Sequence, residues 1–204
     1  AKEFAKKMNV ELKLQSINWE TKEIELSSGK IDLIWNGLTM TPSREEEMTF
    51  TKPYLKNKQV VAVLKDSSIQ TFADMKDKTV VLQKGSTAVD ALNEDKNKSL
   101  ADSLKSTTVL EQNIMCFTEV EAKRADAVIV DEVVAKYYLT KHPDKFRLLD
   151  ETLADEFYGI AVKKGNTQLR DQIQTALDEL EKEGKTAEIS KKWFSEDIYY
   201  SEAE

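Results

Sequence analysis

Short apolar runs alternating with helix-like stretches constrain this chain more than any other feature. "IDLIW", "QVVAVL", "TVVLQ", "DAVIV" and "YGIAV" each have the length and composition of a buried strand. Between and after them lie "TAVDALNED", "FTEVEAKR", "EVVAKYYLTK" and "TQLRDQIQTALDELEKEG", which carry helical periodicity. Strands alternating with helices predict an α/β architecture with mostly parallel sheets, because a helix returns the chain to start the next strand in the same direction.

Further elements follow from local signals. "VELKLQSI" places Val10, Leu12 and Leu14 on one side, the period of a half-buried strand. "ETKEIELSSGK" predicts a short helix closed by Gly29, "TFADMKD" another, and "TTVLE", "FRLLD" and "YGIAV" three strands. "AKEFAKKMNV" brings Phe4 and Met8 onto one helical face with no capping residue ahead of it, so residues upstream of Ala1 are expected. No Pro/Gly linker divides the chain. If there are two lobes, "KNKQVVAVLK" and "EFYGIAVKKG" are the extended segments that cross between them.

At 204 residues the chain is long enough to bury a real core. A net charge of −7 argues against nucleic acid, whose phosphates need a basic face. No apolar run approaches the roughly 20 residues that cross a bilayer as a helix. Cys116 is the single cysteine and His142 the single histidine, so an internal disulfide is impossible and a zinc site or a Cys–His pair is not expected. Neither a G-x-S-x-G motif nor a nucleotide-binding glycine pattern is present, and no cofactor is expected.

Ligands of open α/β sheets bind beyond the carboxyl ends of strands, which selects three places. After "IDLIW" come Asn36, Gly37 and Thr39, then Thr41-Pro42 as the start of a helix. Arg44 falls in that helix's first turn, where the macrodipole disfavours a cation. It either pairs with Glu47 on the surface or waits for an anionic ligand. After "TVVLQ" comes "KGST", where Ser86 and Thr87 either cap a helix or offer donors to an anion. After "DAVIV" comes Asp131, either an N-cap or an anchor for an ammonium group. Trp19 is either core or a platform over a ligand. Together these offer donors for a carboxylate and an acceptor for an ammonium, the charge pattern of an α-amino acid.

"GKIDLIWNGLTMTPSREEEMTFTKPYL" resembles the signature of bacterial substrate-binding proteins that feed polar-amino-acid ABC transporters. The resemblance continues in order through "VVLQKGSTA", "AKRADAVIVDE", "YGIAVKKGN" and "LDELEKEGKTAEISKKWF". It implies a two-lobed type II periplasmic-binding-protein fold with two hinge strands: lobe 1 over residues 1–57 and 162–204, lobe 2 over 58–161, closing on a ligand. In that scheme Arg44 clamps the ligand carboxylate. Gly37, Thr39, Ser86 and Thr87 add hydrogen bonds, and Asp131 receives the ammonium. Asn36 lines the pocket and Trp19 stacks on the ligand side chain.

The implied function is capture of a polar L-amino acid by hinge closure and delivery to an ABC permease, without catalysis. The implied location is the periplasm, or the surface of a Gram-positive cell as a lipoprotein. Cystine, glutamine, arginine and lysine are the ligands left open. Members of this family carry a further strand and loop ahead of the helix that begins at Ala1. Without that segment lobe 1 is expected to be incomplete and open to strand exchange, and otherwise the chain is expected to be a monomer. Two alternatives use the same module: a receptor's sensor domain, and a dehydratase acting on prephenate or arogenate.

Overall fold

The computed structural model describes residues 1–201. The chain divides into two compact units: unit 1 is Ala1–Lys56 with Glu156–Glu204, and unit 2 is Asn57–Asp155. The divisions fall inside two strands, β3 (Leu55–Leu64) and β7 (Phe146–Lys163), so these are the segments that carry the chain from one unit into the other. The sequence reading set the lobe boundaries at 57/58 and 161/162. Residues 156–161 fall in unit 1 because they pair there with β1 (Leu33–Thr39) and β2 (Met48–Phe50).

In unit 1 the last part of β7 pairs antiparallel with both β1 and β2. Its side chains alternate between two apolar layers, as a strand's period of two requires. Ile160 and Val162 pack with Phe4 of α1 (Lys2–Met8) and with Ile173, Ala176 and Leu177 of α8 (Thr167–Lys182). Ala161 faces Leu26 of α2 (Lys22–Ser27), together with Ile34, Leu38, Met48 and Phe50. Helix α3 (Pro42–Glu47) links β1 to β2, and α9 (Lys185–Phe194) follows α8.

In unit 2 the strand order is β7, β3, β6 (Ala127–Asp131), β4 (Thr79–Gln83), β5 (Ser106–Leu110). Helices α4 (Thr87–Asn93), α5 (Lys98–Ser103), α6 (Asn113–Glu121) and α7 (Glu132–Lys141) connect them. One sheet face packs Val61, Val63, Val80, Leu82, Ala127 and Ile129 against Ala88, Ala91 and Leu92 of α4. The other packs Val60, Ala62, Val81 and Val130 against Cys116 and Phe117 of α6 and Ala135 of α7. Phe117 stacks on Tyr138 at 3.9 Å and meets Phe146 edge-on at 5.2 Å, contacts worth about 0.5–1.5 kcal/mol each beyond burial.

Three expectations are corrected. The sheets are not mostly parallel: β4 is parallel to β5 and β6, but β3–β6, β1–β7 and β2–β7 are antiparallel. Parallel pairing arises where helical crossovers join the strands, whereas β3 and β7 enter from the other unit and run the opposite way. "FRLLD" and "YGIAV" are not two strands but the ends of one, since the polar "DETLADEF" between them stays extended. "VELKLQSI" forms no strand, and Val10 and Leu14 are 55% and 78% exposed. A strand is stabilised by its ladder, and among the described residues nothing pairs with this one.

Cys116 is fully buried, and burial pushes its thiol up to about 12. At pH 8 the thiolate fraction is then on the order of one in ten thousand. A disulfide reagent is expected to leave the folded protein unlabelled for hours and to label one thiol at once in denaturant. Fast labelling of the native protein would contradict this packing.

Candidate functional site

Unit 1 builds its polar cluster at the end of β1. Between Ile34 and Leu38 the register against β7 slips: Ile34 lies opposite Ala161, but Leu38 lies opposite Gly159. The extra residues form a bulge, and Gly37 within it has φ +85°, a conformation costly for any other residue. A Cβ there would also lie 3.1 Å from the Tyr158 ring. The Gly37 backbone hydrogen-bonds the phenol oxygen of Tyr54, whose ionisation is pushed far up by burial. The bulge sends the chain through Thr39 into α3.

There Thr41 caps α3, accepting from the Arg44 N–H at 3.2 Å, with Pro42 in the first turn as expected. Arg44 is 8% exposed while Glu45, Glu46 and Glu47 are exposed. Its guanidinium turns back and donates to the Thr39 carbonyl at 2.9 Å. The Thr39 hydroxyl donates to Glu156 at 2.9 Å. Asn36 is exposed on β1. Trp19, in a short 3-10 turn, packs its ring against the layer containing Leu26 and Ile34, and the Lys22 ammonium lies 5.1 Å from the ring centre.

Unit 2 builds its cluster where an apolar face turns polar. Val61 lies opposite Ile129 and Val63 opposite Ala127; one step further along the same face, Gln59 lies opposite Asp131. Asp131 stands at the N-cap of α7, yet its side chain makes no capping bond. Its Oδ1 instead accepts from Asn57 Nδ2 at 2.6 Å and Gln59 Nε2 at 3.0 Å. Gln59 Nε2 also donates to Thr87 Oγ1 at 3.2 Å. Asn57 Oδ1 takes the Val133 N–H of α7, at 3.4 Å.

Ser86 holds the N-cap position of α4 but makes no capping bond either; its hydroxyl donates to the Gln83 carbonyl at 2.7 Å. Thus Thr87 and Asp131, chosen from separate strand ends, are joined through one glutamine. Asn57 and Gln59 were missed by sequence reasoning. Their signal was a polar pair at i and i+2 on the face that continues into Val61 and Val63. His142 is half-buried and stacks on Tyr138 at 4.4 Å.

The fold is similar to an ABC uptake transporter substrate-binding protein from Streptococcus pneumoniae with bound histidine, at TM-score 0.90 and 32% identity over 98% of this chain and 82% of that one. It is similar, at TM-score 0.84 and 30% identity over 95% and 82%, to an ancestral amino acid-binding protein, AncCDT-1, described as a precursor of cyclohexadienyl dehydratase. In sequence it is 31% identical over 198 residues to the arginine-binding extracellular protein ArtP of Bacillus subtilis (strain 168), covering 96% of this chain and 75% of that one. The architecture is the type II periplasmic-binding-protein fold, and the class is that of extracytoplasmic solute-binding proteins. Within it, the chain belongs to the bacterial extracellular solute-binding proteins, family 3, whose profile matches residues 1–196.

Proposed function

We propose that this protein binds a free polar L-α-amino acid outside the cytoplasm and delivers it to an ABC-transporter permease. Arg44, Thr39 and Gly37 in unit 1 hold the ligand carboxylate, with Asn36 and Trp19 toward its side chain. Thr87 and Ser86 in unit 2 add donors, and Asp131 takes the ammonium. The observation that carries this reading is the Asp131 carboxylate. It occupies an N-cap yet serves no helix N–H, and two amide donors keep it in place as an acceptor.

The relation to an ancestor of a dehydratase favours a second reading, turnover of a cyclohexadienyl substrate, and a prephenate turnover assay distinguishes the two. The primary test is a thermal-shift screen of the twenty L-amino acids and L-cystine. A ligand at 100 times its Kd is expected to stabilise the folded state by about 2.7 kcal/mol, a rise of several degrees. No shift with any of them at millimolar concentration would defeat the proposal.

A further inference from the structure

Gln59 is fully buried in the middle of a strand whose other inward side chains are apolar, apart from Asn57. A glutamine there is costly unless its amide is used. Its single amide nitrogen reaches two groups: Thr87 Oγ1 at 3.2 Å and Asp131 Oδ1 at 3.0 Å. Two consequences follow from the chemistry of these groups. A hydroxyl that accepts from Gln59 has its own proton turned away from that nitrogen, so Thr87 is set as a donor. A carboxylate that accepts from Gln59 and Asn57 is set in place as an acceptor. One amide therefore assigns opposite hydrogen-bonding roles to two side chains on different elements, α4 and β6.

We propose that Gln59 is a positioning residue for ligand capture, orienting Thr87 toward an anionic group and Asp131 toward a cationic one, with Asn57 as second support for Asp131. It acts through these two side chains and does not itself touch the ligand. Preorganising both ends of a zwitterion in one unit removes the cost of ordering them when the ligand arrives. This inference rests on the amino-acid reading above.

The test is a double-mutant cycle read by titration calorimetry with L-arginine, L-histidine, L-glutamine and L-cystine. Gln59→Leu is expected to weaken whichever of these the wild type binds by about tenfold, as loss of a bond to a charged group does. Asp131→Asn is expected to weaken it more. The double variant is expected to lose clearly less than the product of the two single losses, since the part of Gln59's effect that runs through that carboxylate is already gone in Asp131→Asn, while the part through Thr87 remains. Losses that multiply, or a Gln59→Leu protein that binds like the wild type, would overturn the positioning role. If Gln59→Leu does not fold, Gln59→Met, longer and apolar, takes its place in the same cycle with the same criteria. A wild type that binds none of the twenty L-amino acids or L-cystine defeats the functional reading itself, and this inference with it.

Discussion

Arg44→Ala is expected to raise the Kd for the bound amino acid by about 100-fold or more, because it removes a charge-assisted pair worth about 1.5–3 kcal/mol per bond. The same substitution takes a donor from the Thr39 carbonyl. Its melting temperature should therefore fall by a few degrees, with the far-UV spectrum unchanged, since a buried hydrogen bond of this kind is worth about 1 kcal/mol. Arg44→Lys keeps the charge but not the planar fork, and is expected to recover only part of the affinity. Calorimetry showing wild-type affinity in Arg44→Ala would remove the carboxylate from this place.

Asp131→Asn is expected to weaken α-amino acids by about 10- to 100-fold while barely changing the weaker binding of the corresponding acids that lack the amine. The substituted amide still offers a carbonyl oxygen to Asn57 and Gln59, so the fold should hold. Affinities for matched pairs of ligands, with and without the amine, provide the check. Equal losses across each pair would mean that Asp131 serves the architecture of unit 2 and not an ammonium.

Much of this was legible in the sequence. "TVVLQ" and "DAVIV" read as strands because an apolar run of that length has nowhere to go but the interior, and both lie at the centre of unit 2. Arg44 drew notice because its charge conflicts with the helix end it occupies, a conflict visible without coordinates. What was not legible depends on partners distant in sequence. Val10, Leu12 and Leu14 carry a strand's alternation, but alternation records a buried face, not a neighbour to bond with. The acidic "DETLADEF" reads as a break, yet β7 continues through it. Gln59 sits in "KNKQVV", where flanking lysines suggest a surface crossing. Only the register of β3 against β6 reveals that it faces Asp131.

The division of the chain has a consequence for how the protein is made. Unit 2 is one continuous segment, residues 57–155, whereas unit 1 joins residues 1–56 to residues 156–204. A ribosome therefore releases every part of unit 2 before unit 1 can pair β1 with the end of β7. Contacts that span so much chain close slowly, because the intervening loop entropy must be overcome first. Unit 2 is thus expected to be the early-folding nucleus, already holding Gln59, Thr87 and Asp131 in register. Unit 1, and Arg44 with it, then waits for residues 156–204 to supply the end of β7.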